Sequence, residues 1–539
     1  MSPTNFNQKK SNAKTLMISG LLSISAVTTG VYSAEIYAAE QPNIIYILAD
    51  DMGQGDTTVY NPASKIATPS LDRLAKEGMT FSNMHSNSSV CTPTRYGVIT
   101  GRYAWRTELK NGVLGGYSRH LIDPNRETVP SLLKKQGYDT AMFGKWHLGM
   151  DMASTDGKKI KGHEGKNADL SQAIKNGPNV NGFDYYFGIA ASLNHSPHAF
   201  IENDRVLGEL HFIANKKEKK KLGIDGKMGW AAKGWRQDNV QNTFIDKTIE
   251  WLEQHQKTAS DKPFFVYLPL NSPHSPIAPS EKFIGKSGLS PHGDFTMEMD
   301  YEIGRLLNKL DELKIADNTL VIFTSDNGTS PKAKLEPMQA QGHYSHMGYR
   351  GLKGSIYEGG HRVPFIVRWP DGVKAGTKTD YHGSLVDLMA TAAELTNTKL
   401  ADNAGEDSVS FLPVLAGKKV DDSLRGVVYH SDAGAYSIRQ GKWKLILHES
   451  GGSRRSNPKD KNNPVIAAGD IQLFDMDNDP TERVSIHKQN PEIATNLMKV
   501  LEIQINSGRS AGTGPAANDK IDAKSQSKWQ KKLGKHITL

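Results

Sequence analysis

The sequence predicts an α/β protein: a large, mostly parallel sheet sandwiched by helices, with a smaller C-terminal antiparallel sheet subdomain. Three observations carry this prediction. Apolar, β-rich runs at 43–49 (NIIYILA), 139–143, 263–268 and 319–324 are too short for helices and lack the alternation of a one-sided strand, so they read as strands buried on both faces. Helical patterns separate them, and strands alternating with helices imply a parallel sheet covered on both sides. From about Arg425 the chain changes to short strands split by turns (GVVYH, YSIRQ, KWKLILH, IQLFDM) and then a helix over 491–505. That is the pattern of an antiparallel sheet with one covering helix.

Taken in order, the run 43–49 ends in Asp50 and Asp51, and Gly53 and Gly55 then turn the chain. Ligands of open α/β sheets bind at the carboxyl ends of strands, so this pair is placed for a site, although an Asp-Asp pair is also a common turn. Residues 68–78 carry Thr68 as N-cap, Pro69 at the first helical position, Leu71 and Leu74 on one face and Gly78 as terminator. A turn-rich stretch then delivers Cys91-Thr92-Pro93-Thr94-Arg95. Residues 95–101 begin a predicted helix whose amides favour negative charge near Cys91. The strand at 139–143 leads into Gly144-Lys145-Trp146-His147, where extended backbone would point Lys145 and His147 to one side. Residues 239–254 and 297–313 are amphipathic helices. The strands 263–268 and 319–324 lead to His274 and to Asp326-Asn327. The Gly-rich stretch 348–360 reads as a flexible loop on which Arg350, Lys353 and Glu358 could approach a site, before a strand at 363–369. In a parallel sheet, the strand ends would gather Asp50, Asp51, Lys145, His147, His274, Asp326 and Asn327 along one edge.

At 539 residues and 37% hydrophobic content the chain is long enough for a large core. Four segments are predicted: an export signal peptide over 1–39, the α/β domain over 40–424, the antiparallel subdomain over 425–508 and a basic polar tail over 509–539. The signal has Lys9, Lys10 and Lys14 before an apolar run, with cleavage before Glu40. Serines and threonines dilute that run, so an exported protein, periplasmic or secreted, is expected, with no stable membrane insertion. The formal charge is +8, yet much of it lies in the tail, where Arg509 and six lysines face only Asp519 and Asp522. A nearly neutral body argues against nucleic acid as a partner. The tail reads as solvated, and the lysine cluster 216–221 as a surface insertion.

Asp50, Asp51 and Asp326 with Asn327 offer hard oxygen donors, which suit Ca²⁺ or Mg²⁺, with calcium the first choice, and are poor for zinc. Arg95, Lys145, His147, His274 and Lys353 add cationic donors that would hold an anionic, oxygen-rich group and stabilise charge developing in its transfer. Sulfate and phosphate esters both fit. Cys91 is the only cysteine, so it forms no internal disulfide.

Cys91-Thr92-Pro93-Thr94-Arg95, followed by Thr100-Gly101-Arg102, resembles the Cys-x-Pro-x-Arg signature of the type I sulfatases. Asp50-Asp51, Gly144-Lys145-Trp146-His147, His274, Asp326-Asn327-Gly328 and Lys353-Gly354 resemble further motifs of that family, in its order, and LFDMDNDPTE at 473–482 is similar to a family strand and turn. The resemblance implies an alkaline phosphatase-like fold, with 40–424 as the N-terminal catalytic sulfatase domain. It also implies that a formylglycine-generating maturation enzyme converts Cys91 to formylglycine. Asp50, Asp51, Asp326, Asn327 and residue 91 would hold the metal. One hydroxyl of the hydrated aldehyde would attack sulfur in line and expel the alcohol. His147 would then take the proton of the other hydroxyl, the aldehyde would re-form and sulfate would leave. Lys145 and Arg95 would hold the nucleophile, while His274 and Lys353 would bind sulfate oxygens and assist the leaving group.

The substrate expected is a sulfated small molecule or glycan, such as a polysaccharide or oligosaccharide. His195, His198, Trp230, Trp235, His343, Tyr344 and His346 are candidates to line a sugar or aryl subsite. Two alternatives stand beside this reading. One is a phosphomonoester, phosphodiester or phosphonate-ester hydrolase of the same superfamily, and the other is a protein that holds sulfated glycans without turning them over.

Overall fold

The strand Asn43–Ala49 is buried along its whole length, with Ile44, Tyr46 and Leu48 in one apolar cluster and Ile45, Ile47 and Ala49 in another. Side chains of a strand alternate between faces, so two clusters mean that both faces of the sheet are covered. The computed structural model describes residues 41–454, 465–533 and 535–538. The expected signal peptide lies outside the described residues.

Asn43–Ala49 pairs in parallel with Thr319–Ser325 on one side and with Phe264–Pro269 on the other. Asp139–Lys145 and then Tyr185–Ile189 continue the parallel block. The helices Pro69–Lys76, Val240–Thr258 and Pro291–Glu312 cover one face with Leu71, Phe244, Leu252, Ile303 and Leu307. The helices Cys91–Thr100, Val129–Lys135 and Leu388–Leu395 contribute Tyr96, Ile99, Leu132 and Met389 to the other cluster.

The expected strand near 363–369 forms as Phe365–Arg368, but it runs antiparallel to Thr319–Ser325. Between them the chain stays at the carboxyl end of the sheet, where Gly328 N donates to Gly360 O (3.0 Å) and Lys353 N to Thr329 O (3.0 Å). With no crossover back to the starting edge, re-entry is necessarily antiparallel.

The C-terminal sheet has four antiparallel strands, Gly426–His430, Tyr436–Gln440, Trp443–Ile446 and Gln472–Asp475, and the helix Pro491–Asn506 packs on it. The segment 509–539 is not a freely solvated tail. Asp519 N donates to Arg106 O, and the helix Ala523–Leu533 places Trp529 and Leu533, with Ile537 beyond, in the apolar cluster of this sheet. The lysines between them mask an apolar stripe at four-residue spacing. Lys216–Lys221 forms a short helix with no buried residue. Among the described residues no helix is long and apolar enough to cross a membrane.

Candidate active site

Asp50 and Asp51 follow the central strand. Asp51 takes a left-handed backbone (φ 73°) that turns the chain at the sheet edge. Its amide approaches Asp326 Oδ1 (3.3 Å), and Met52 N donates to Ser325 Oγ (3.0 Å), so two parallel strand ends are fastened to each other. Cys91 is itself the first residue of its helix, earlier than the 95–101 start expected, because Val90 is extended and Pro93 fits the first turn. Thr94 N donates to Val90 O and Pro93 has no N–H, so the amides of that turn without an intrahelical acceptor are those of Cys91 and Thr92.

Ten residues expected at the site, Asp50, Asp51, Cys91, Arg95, Lys145, His147, His274, Asp326, Asn327 and Lys353, are all buried, and contacts join them. Cys91 Sγ lies 3.6 Å from Asp50 Oδ1 and 3.2 Å from Lys353 Nζ. Lys145 Nζ donates to Asp50 Oδ2, and Lys353 Nζ donates to Asp51 Oδ1. Arg95 donates through Nε and Nη2 to Asp326 Oδ2 (3.0 and 2.8 Å) and through Nη1 to Lys145 O (3.0 Å). Asn327 Nδ2 donates to Asp51 Oδ1 (2.8 Å), and His274 Nε2 stands 3.8 Å from Asp51 Oδ2.

His147 is not in an extended stretch. The strand ends at Lys145, and His147 is left-handed (φ 59°). Its ring is oriented by Leu114 O, 2.8 Å from Nε2, while Thr92 Oγ1 donates to His147 O and accepts from Leu114 N. Sequence reasoning missed this bracket; Thr92, inside the Cys91 motif, was its only local signal.

Burial pushes the Cys91 thiol up and Asp326 adds to this, but Lys145, Lys353 and a hydrogen bond to His274 outweigh both and bring it down to about 6. Burial would raise Asp51, yet Lys353 and His274 hold its carboxyl well below the usual range. Burial, then Lys145 and Arg95, keep His147 far below its ordinary value, so its ring is neutral.

A buried polar atom without a partner costs stability unless a ligand satisfies it. Asp51 Oδ2 and Asn327 Oδ1 are such atoms. Asp50, Asp51, Cys91 and His274 also bring ligand atoms within 4.8 Å of one another. Unsatisfied hard oxygens beside carboxylates fit a hard divalent cation.

Other expected residues turn elsewhere. Glu358 pairs with Lys444 and Arg362, and Arg350 Nε donates to Glu482 O, so of that stretch Lys353 alone reaches the site. The stretch is also packed rather than loose: a Cβ on Gly360 would lie 1.9 Å from Ser355 O. His343 is buried against Asp56 (3.0 Å), and Trp235 packs on Phe200 at the edge of the core. His346 contacts Gln339, Trp230 donates to Gly165 O, and His198 contacts Lys227 O. Tyr344 is exposed. Only His195 is in ring contact with the site, 5.8 Å from the His147 ring. Arg102 sits behind the site, buried against Glu406 and Asp519.

A parallel sheet whose carboxyl ends hold one buried nucleophilic side chain, open hard oxygens and a ring of cations defines a hydrolase of anionic esters with an alkaline phosphatase-like fold. A sequence profile of the sulfatase family matches residues 42–398. An N-acetylgalactosamine-6-O-sulfatase of Bacteroides thetaiotaomicron is 34% identical, the match covering 86% of this chain and 93% of that one. Bovine arylsulfatase A is 30% identical, with 87% and 88% covered. A solved sulfatase structure from B. thetaiotaomicron, described with the metabolism of multiple glycosaminoglycans, superposes with a TM-score of 0.73 at 32% identity over 86% of this chain and 99% of that one. The chain belongs to the sulfatase family and is a sulfuric ester hydrolase.

Proposed function

We propose that the protein releases sulfate from sulfated glycans, binding the ester over residue 91 between Lys145, Lys353 and His274. The observation that carries this reading is one buried point where the only cysteine meets unpartnered oxygens of Asp51 and Asn327 and a set of cationic side chains. The name of the Bacteroides relative makes 6-O-sulfated N-acetylgalactosamine the first glycan ester to test.

A formylglycine hydrate at position 91, made by a maturation enzyme during export to the periplasm or medium, would supply an oxygen nucleophile with a second hydroxyl in reserve. Ca²⁺ or Mg²⁺ held by Asp50, Asp51, Asp326, Asn327 and residue 91 would supply positive charge that acidifies this nucleophile and polarises the ester. Arg95 is committed to Asp326 and to Lys145 O, so it holds the carboxylate side of the site in place. Lys145 fixes Asp50, which faces position 91.

His147 is set up as a base. A carbonyl only accepts, so the contact with Leu114 O puts the proton on Nε2 and leaves the lone pair on the buried, unpartnered Nδ1. That nitrogen would take the proton from a hydroxyl of residue 91 as the aldehyde re-forms. Lys353 and His274 flank residue 91 and would bind sulfate oxygens and assist the departing alcohol.

Intact-mass measurement on natively exported, active protein tests the nucleophile: a carbonyl oxygen is expected in place of the thiol and one hydrogen, and an unmodified thiol sinks it. Release of sulfate and of phosphate from matched aryl esters separates this reading from a phosphate- or phosphonate-ester hydrolase, which a clear phosphate preference would establish. Turnover of aryl sulfates with no release from any sulfated sugar would count against the glycan substrate.

A further inference from the structure

A cavity of about 670 Å³ is lined by Lys161, His163, Lys166, Lys216, Lys219 and Lys227. Its two acidic lining residues are already engaged: Glu164 pairs with Lys166 (3.2 Å), and Asp156 Oδ1 accepts from Asn167 Nδ2 (2.9 Å) and Lys158 N (3.1 Å). Among the described residues Lys161, Lys216 and Lys227 form no ion pair. Like charges gathered around one cavity repel, and a bound anion would relieve the repulsion.

The cavity adjoins the catalytic centre. The His163 ring stacks on His195 at 6.4 Å between centroids, and His195 is 5.8 Å from His147. Lys227 is tied to the same segment, since its amide donates to Asn194 O (2.9 Å) and its carbonyl contacts His198 Nε2 (2.8 Å). Trp230 Nε1 donates to Gly165 O (2.9 Å), which fixes the 161–167 loop opposite the strand Gly229–Ala232.

We infer that this cavity is a second anion subsite, holding a sulfate or carboxylate on a part of the glycan next to the ester being cleaved. The enzyme then favours multiply charged oligosaccharides over isolated sulfated sugars. The inference rests on the glycan reading for the identity of its ligand, while the basic cavity exists independently of that reading.

The test is inhibition of 4-nitrophenyl sulfate hydrolysis by a chondroitin 6-sulfate tetrasaccharide, which reads binding whether or not the tetrasaccharide is itself cleaved. In the combined Lys161→Gln, Lys216→Gln, Lys227→Gln variant the inhibition constant is expected to rise by about tenfold at low salt. Turnover of 4-nitrophenyl sulfate alone should stay within about twofold of the wild type, and high salt should erase the difference. Repeating the titration with carboxyl-reduced tetrasaccharide separates the two anions: an undiminished variant effect assigns the subsite to sulfate, and its loss assigns it to carboxylate. An unchanged inhibition constant, wild-type protein that the tetrasaccharide does not inhibit, or an equal fall in aryl sulfate turnover overturns the inference. Free sulfate released from the tetrasaccharide by the wild type is scored separately and reports on the glycan reading alone.

Discussion

Two clusters of buried charge are built from the same loop, one around Lys353 and Cys91 and the other around Glu358, His361, His85 and Lys444. Each brings together at least three side chains of the kind that ligate metals. In the second cluster Lys444 Nζ lies 2.9 Å from Glu358 Oε1, 2.7 Å from Glu482 Oε1 and 3.0 Å from His361 Nε2. His361 Nδ1 meets His85 Nδ1 (3.0 Å), and His85 Nε2 meets Asn83 Oδ1 (3.0 Å). With Lys444 donating to His361 Nε2 both histidines are neutral along this chain; His361 Nε2 also lies 3.1 Å from Ile356 O, Glu482 Oε1 has only the ion-pair contact with Lys444, and that ammonium group occupies the place a cation would take. Around Cys91, Asp51 Oδ2, Asn327 Oδ1 and His147 Nδ1 are left without partners. An ammonium already seated between the carboxylates, more than acidity or burial, separates the Lys444 joint from the open cluster around Cys91.

The largest expected effect removes the proposed nucleophile. Cys91→Ala should cost on the order of 10⁴-fold or more in kcat/KM, with a thermal midpoint close to that of the wild type, because a small side chain at a helix start is replaced by another. A parallel loss of stability would make Cys91 a packing residue and break the contrast. Lys444→Met is the mirror experiment. It leaves Glu358 and Glu482 buried without their cation and should lower the unfolding free energy by about 3–5 kcal/mol in urea titration. Loss of activity without that destabilisation would place Lys444 with the reactive cluster. A smaller effect is expected from Asn327→Ala, which removes one open oxygen: affinity for the proposed calcium ion should fall by roughly 10- to 100-fold, read by metal titration as well as by activity. Unchanged affinity would take Asn327 out of the ligand set.

The parallel block was legible because its strands are unbroken apolar runs, and the candidate site because Asp50, Lys145 and Asp326 stand at their ends. What stayed hidden depends on distant partners. Thr68 was legible as an N-cap, but its hydroxyl contacts Thr57 and Thr58, and Asp300 caps Ser70 N and Leu71 N instead. Nothing local to His343 announces Asp56, and nothing local to Glu358 announces Lys444. Trp529, Leu533 and Ile537 show a helical stripe in a segment whose lysines dominate its composition, so charge counting concealed a packed helix. The basic cavity joins 156–167 to 216–228, and of these stretches only the lysine cluster 216–221 stood out in the sequence, as a surface insertion.

The finest test of the comparison is pH. Burial depresses His85 and His361 well below their ordinary value, and for His361 the charge of Lys444 adds to it. In the unfolded chain both titrate at about 6.5. Above that pH they are neutral in both states and contribute no slope. Below it the unfolded chain takes protons that the folded cluster refuses, so stability falls with falling pH by about 1.4 kcal/mol per pH unit for each histidine. Glu482 works in the opposite sense. Burial raises it to about 7, with Lys444 offsetting only part of the shift, so as pH falls from 7 toward the unfolded value the folded state takes up the proton first and gains stability. Glu482→Gln removes this compensation, and acid destabilisation between pH 6.5 and 5 should steepen by about 1.4 kcal/mol per pH unit, measured as unfolding free energy against pH for both proteins. Parallel curves would mean that Glu482 keeps its charge through this range. The joint would then hold two carboxylates on one ammonium and would itself have an open valence.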